Sequence, residues 1–285
     1  MAETDLRQAA INYLRGLRDA GISDLPATAE NRLHQLVLES AAEYEIASAP
    51  EPVPVAVQES PAEAHRSPPA APHAPPASSG SLFKTGATDR FGPTLDRSAR
   101  IVALQVLEQE VAACQRCEEL ARCRKQTVFG VGNPTPRLAF FGEGPGADED
   151  RLGEPFVGRA GELLNKIIAA CKMAREDVYI FNAVKCRPPG NRNPHDAELN
   201  FCREYWEQQL EILQPEFICC LGSVAARTLL NTTDSVGRMR GKFHKYRGSE
   251  VVVTYHPAYL LRTPTAKAKT WDDMKMLMDR MGIEY

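Results

Sequence analysis

"RLAFFGEGPGADED", residues 137–150, sets four apolar residues, Leu138 to Phe141, directly before a glutamate flanked by glycines. A short apolar run that stops at glycine reads as a buried strand entering a turn. On either side the chain alternates. "SARIVALQVLEQEVAAC" (98–114) and "AGELLNKIIAACKM" (160–173) carry helical periodicity, and "DVYIFNAVKC" (177–186) reads as the next strand. A long helix over 196–214, a buried strand "EFICCLG" (216–222), a helix over 223–231, a strand "VVVTYHP" (251–257) and a closing helix over 270–282 complete the pattern. Strands separated by helices imply right-handed βαβ units, so the expected fold is α/β, a central parallel sheet with helices on both faces.

In such sheets ligands bind beyond the carboxyl ends of the strands. The segments leaving those ends are "GEGPGADED", "NAVKCRPPGNRNP", "LGS" and "HPAYLLR", which places the chemistry-bearing residues at one edge. Gly142-Glu143-Gly144-Pro145-Gly146 is no dinucleotide fingerprint, because it lacks G-x-G-x-x-G and Pro145 removes an amide from any phosphate cradle. Glu143 is a carboxylate held where another molecule can approach closely. Asn182 lies in an apolar strand, where its amide either finds backbone partners or serves a ligand. Phe156, in "GEPFVGRAG", is either a core residue or a stacking platform for a planar ring. His256 stands at the mouth of a strand, followed by Leu260 and Leu261 on an expected surface loop.

The 285 residues, 43% apolar, suffice for a sizeable core. No stretch has the ~18 consecutive apolar residues of a membrane span, and the start "MAETDLRQ" lacks a signal-peptide layout, so a cytoplasmic, non-membrane protein is expected. Residues 1–47 place Leu6, Tyr13, Leu14 and Leu17, then Leu33, Leu36 and Val37, at helical spacing and read as a short helical accessory segment. Residues 48–98 turn to Pro, Ala, Ser and Glu and read as a disordered linker. Residues 99–285 form the main domain, with 26 Lys and Arg against 24 Asp and Glu, an excess too small to argue nucleic-acid binding by itself.

Eight cysteines without an export signal point to metal ligation or burial rather than disulfides. Cys114 and Cys117 form a C-x2-C half-site, while Cys186 and Cys202 are remote and match neither a zinc-finger nor a ferredoxin spacing. Cys123 could add a third ligand to the first pair. Cys171, Cys219 and Cys220 sit in apolar contexts and read as core.

Taken together, "GEGPGADED", "GEPFVGRAG", "NAVKCRPPGNRNP" and "HPAYLLR", in this order and with these four cysteines, resemble the family 4 (iron–sulfur) uracil-DNA glycosylases over roughly residues 99–285. The resemblance implies a three-layer α/β/α glycosylase fold and a [4Fe-4S] cluster on Cys114, Cys117, Cys186 and Cys202 with a structural role. It implies uracil-containing DNA as substrate, with the target nucleotide flipped out. Glu143 would serve the attacking water and His256 the leaving uracil anion. Gly142 and Gly144 would shape the pocket, Asn182 would read the base edge, Phe156 would stack on the ring and Glu149 would stand near uracil C5. Leu260 would be the wedge, with Leu261 beside it and Arg262, Arg240, Lys242 and Arg187 on phosphates. Gly144 stands where alanine is also familiar in that family, a departure expected to be neutral. A monomer is expected, with residues 1–47 recruiting a replication or repair protein. Two other readings stay open: a same-fold glycosylase for another deaminated base, and a non-catalytic iron–sulfur or zinc nucleic-acid-binding protein.

Overall fold

The computed structural model describes residues 90–285; the expected accessory helices of 1–47, and most of the expected linker, lie outside the described residues. The main helices are α1 (Arg97–Ala112), α2 (Glu118–Cys123), α3 (Ala147–Leu152), α4 (Arg159–Ala170), α5 (Asp196–Leu213), α6 (Ser223–Leu230), α7 (Val236–Met239), α8 (Pro257–Arg262) and α9 (Lys267–Met281). The strands are β1 (Val131–Gly132), β2 (Leu138–Gly142), β3 (Tyr179–Asn182), β4 (Phe217–Leu221), β5 (Phe243–Tyr246) and β6 (Ser249–Thr254).

The six strands form one sheet in the order β1-β3-β2-β4-β6-β5. The inner four are parallel, as the βαβ pattern requires. Both edges are antiparallel, so the expected central parallel sheet is flanked by an antiparallel strand on each side. At one edge the cause is a tight hairpin: Arg247 (φ 50°) and Gly248 (φ 125°) turn β5 back onto β6. At the other, β1 is only two residues long.

Strand residues alternate between two cores, as the pleat dictates. Ala139, Phe141, Ile218, Cys220, Val251 and Val253 face α1, α5 and α6, meeting Leu107, Trp206, Leu210 and Leu229. Leu138, Phe140, Cys219, Leu221 and Val252 face α4 and α9, meeting Leu164, Ile168, Met274 and Leu277. The result is the expected three-layer α/β/α arrangement. Cys171, Cys219 and Cys220 are fully buried in it, as read from their contexts.

The domain begins several residues before 99. Phe91 packs against the core, Gly92 N–H donates to Glu211 Oε1 (2.5 Å), and Thr94 Oγ1 donates to Gln214 Oε1 (2.9 Å). Asp96 then caps α1 by accepting from Ala99 N–H (2.8 Å). No helix among the described residues is long and apolar enough to cross a membrane.

Candidate active site and cysteine centre

Gly142 and Asn182 end β2 and β3 and are paired in register. His256 follows the end of β6 by two residues, so these three residues converge at the carboxyl edge. A Cβ on Gly142 would stand 2.2 Å from Asn182 Oδ1 and 2.7 Å from the Phe156 ring, so only glycine lets these two close over the strand end. Phe156 is buried, and its ring lies 5.6 Å, centroid to centroid, from that of His256. Its backbone is left-handed (φ 54°), a conformation costing a bulky residue about 1–3 kcal/mol. Two contacts hold that strain. Glu149 accepts from Val157 N–H (2.9 Å), Gly158 N–H (3.0 Å) and Gly146 N–H (3.1 Å), tying the two loops together. Gly161 lies so close to the Phe156 carbonyl that a Cβ there would be 1.9 Å from its oxygen.

Asn182 is 1% exposed, and its Oδ1 has no hydrogen-bond partner. An orphaned buried acceptor costs about 1–3 kcal/mol, which a ligand donor would recover. His256 caps α8: its Nδ1 accepts from Ala258 N–H (3.1 Å), which assigns the ring proton to Nε2 in the neutral form. Burial, aided by the nearby Arg262 charge and opposed by Glu149, pulls its pKa down to about 4. His256 is therefore a neutral donor through Nε2 near pH 7. Glu143 is half-buried, and desolvation alone raises its carboxyl pKa, the setting of a proton acceptor. Its main-chain oxygen is fixed by Val184 N–H (3.1 Å).

Several expected roles change. Leu260 is not exposed: at 1% it packs beneath α8, because "HPAYLLR" is a helix with Pro257 at its first turn and not a loop. The exposed apolar residues there are Tyr259 (38%) and Leu261 (37%). Arg240 is not an available phosphate contact, since its guanidinium pairs with the buried Asp273 (3.0 Å). Lys242 and Arg262 are exposed, as expected, and Arg187 donates to Asn191 Oδ1 (2.7 Å). Gly144 packs closely on Val184: a Cβ at 144 would meet Val184 Cγ2 at 2.7 Å. Sequence reasoning also missed Gly222, which backs onto the His256 Cβ; its position in "LGS" after a buried strand was the available signal.

The remote Cys186 and Cys202 act on the Cys114–Cys117 pair: the Cys117 thiol is pushed up to about 12, first by burial and then by Cys202, Cys186 and Cys114. The described cysteines are all free of disulfides. Arg124 clasps the group, donating to Cys186 Sγ (3.1 Å) and to the Cys114 carbonyl (2.7 Å). Cys123 is exposed. Four cysteines that influence one another's thiols fit a thiolate-bound metal centre. Glu119, His195 and Glu198 also approach one another, but Arg192 pairs with Glu119 (2.8 Å) and Glu198 (2.7 Å), which makes them an ion-pair cluster.

Residues 129–275 match the model of the uracil DNA glycosylase superfamily. The type-4 uracil-DNA glycosylase of Archaeoglobus fulgidus is 38% identical over 188 residues, covering 63% of this chain and 94% of the relative. That of Thermotoga maritima is 41% identical over 161 residues, covering 56% and 83%. The type-5 uracil-DNA glycosylase of Thermus thermophilus is more distant, 29% identical over 153 residues, covering 43% and 69%. The chain belongs to the uracil DNA glycosylase superfamily, and within it to the type-4 family.

Proposed function

We infer that this chain is a uracil-DNA glycosylase: it hydrolyses the N-glycosidic bond of deoxyuridine in DNA, releasing uracil and leaving an abasic site for repair. The observation that carries this reading is the orphaned Asn182 Oδ1, buried beside the Phe156 ring and His256. Uracil offers an N3–H donor to that oxygen and an O4 acceptor to the amide NH₂, while Phe156 stacks on its face. Cytosine presents the reverse polarity and would leave buried groups unpaired.

The C1′–N1 bond breaks with its electron pair on uracil, and water oxygen bonds to C1′. Glu143 orients this water and accepts its proton, its burial having raised its basicity. Neutral His256 donates from Nε2 to the uracil O2, where negative charge develops, a charge-assisted bond worth about 1.5–3 kcal/mol. The base must first leave the helix stack, and an apolar side chain fills the gap. Leu261, exposed on α8, takes the wedge role in place of the buried Leu260, with Tyr259 stacked on Tyr255 (5.1 Å) beside it. Lys242 and Arg262 are free to meet phosphates.

Cys114, Cys117, Cys186 and Cys202 would hold a [4Fe-4S] cluster, which when bound ties α1, α5 and the loop after β3 together without entering the reaction. The test is single-turnover cleavage of an oligonucleotide with one deoxyuridine, read as alkali-labile strand breaks, for wild type and His256→Ala. Cleavage at uracil, strongly reduced by the substitution, supports the reading; equal cleavage by both overturns His256's role.

A further inference from the structure

Lys185 is 1% exposed, and its ammonium has no carboxylate partner among the described residues. Its three N–H donors are all used, on the Asn182 carbonyl (3.0 Å), the Phe129 carbonyl (3.1 Å) and Gln209 Oε1. The Nζ also lies 5.0 Å from the Phe181 ring centroid, one residue before Asn182. The other side of the same residue meets the cysteine centre. Cys186 is the next residue in the chain, and its sulfur accepts from Arg124 (3.1 Å). Gln209 lies two helical turns after Cys202 on α5, so the side-chain partner and the ligand share one helix face. Gln209 is itself held, donating to the Phe129 carbonyl (3.1 Å) and to Tyr179 Oη (3.4 Å).

We propose that Lys185 is a positioning residue that couples the four-cysteine centre to the base-reading Asn182. It directly precedes the ligand Cys186 in the chain, and its side chain fixes the main chain of the residue that meets uracil. This rests on the reading of Asn182 as the uracil reader and of the four cysteines as ligands. If the two sites share this link, coupling is reciprocal: uracil binding steadies the centre by the factor with which the centre steadies uracil binding.

The test uses the full, metal-loaded chain and its Lys185→Met variant. Three quantities are read: the Kd for free uracil, the Kd for abasic-site DNA, and the rate of metal loss to a chelator with and without saturating uracil. In wild type, uracil should slow metal loss several-fold. In Lys185→Met the uracil Kd should rise by about tenfold, within the usual range of coupling factors, and uracil should no longer slow metal loss. The abasic-DNA Kd, which a general loss of structure would also weaken, should move by less than about threefold. A uracil Kd within twofold of wild type, or protection that persists in the variant, overturns the proposal. If Lys185→Met does not fold, Gln209→Met decides: it removes one Lys185 acceptor, and an unchanged uracil Kd there also overturns it. A wild type that neither binds uracil nor excises it would instead remove the functional reading itself.

Discussion

Replacing Asn182 with alanine separates binding from stability in opposite directions. In the free protein its Oδ1 is buried without a partner, a state costing about 1–3 kcal/mol. Removing the amide relieves that cost and leaves a small cavity, so the melting temperature should stay within a few degrees of wild type or rise. In the uracil complex the same change removes two hydrogen bonds and leaves the uracil N3–H and O4 unpaired in a closed pocket. At about 1–2 kcal/mol each, with the unpaired groups adding, the loss is about 3–4 kcal/mol, or roughly 10²–10³-fold in rate. The assay pairs single-turnover uracil release with a thermal melt of the same preparation. Activity within threefold of wild type would refute the reasoning, and so would a large activity loss explained by a melting temperature lowered by ten degrees or more.

Desolvation raises the Glu143 pKa, so activity should rise with pH through a limb lying above the ordinary carboxylate range; Glu143→Gln should abolish that limb and cost about 10²–10⁴-fold in a pH–rate profile. His256 has a folded pKa of about 4, below its usual 6.5, so its contribution to stability is present above pH 6.5 and fades as pH falls toward 4; denaturation midpoints across that window should fall less steeply in His256→Asn. Leu260→Ala should cost about 2–5 kcal/mol of stability because the side chain is buried, whereas Leu261→Ala should leave stability within about 0.5 kcal/mol and slow excision from duplex more than from single-stranded DNA. Cys186→Ser should lose the brown visible absorbance and bound iron together; a colourless, zinc-containing wild type would contradict the cluster assignment.

The parallel core and its functional edge were legible because buried strands and amphipathic helices alternate from β2 to α9, and the parallel sheet gathers the loops after its strands. The antiparallel edges were not, since β1 has two residues and β5 (Phe243–Tyr246) is half exposed, without an apolar run. The reading of "HPAYLLR" as a loop missed a local signal: a histidine cap followed by proline opens a helix, and Pro257 and Leu260, three apart, then share its inner face. Other roles depended on distant partners. Arg240 is captured by Asp273, thirty-three residues on, and Glu149 by the amides of Val157 and Gly158. Lys185 gave no hint of burial beside Cys186, because nothing local shows that Gln209 and two carbonyls surround it.

The central claim is that the pocket around Asn182, Phe156 and His256 accepts uracil and excludes other bases. The most direct measurement is base release from matched oligonucleotides carrying one uracil, cytosine, thymine or hypoxanthine, with the freed base identified by chromatography. Release of uracil alone is the predicted result; release of hypoxanthine in preference to uracil, or of no base by a folded, metal-loaded protein, would contradict it.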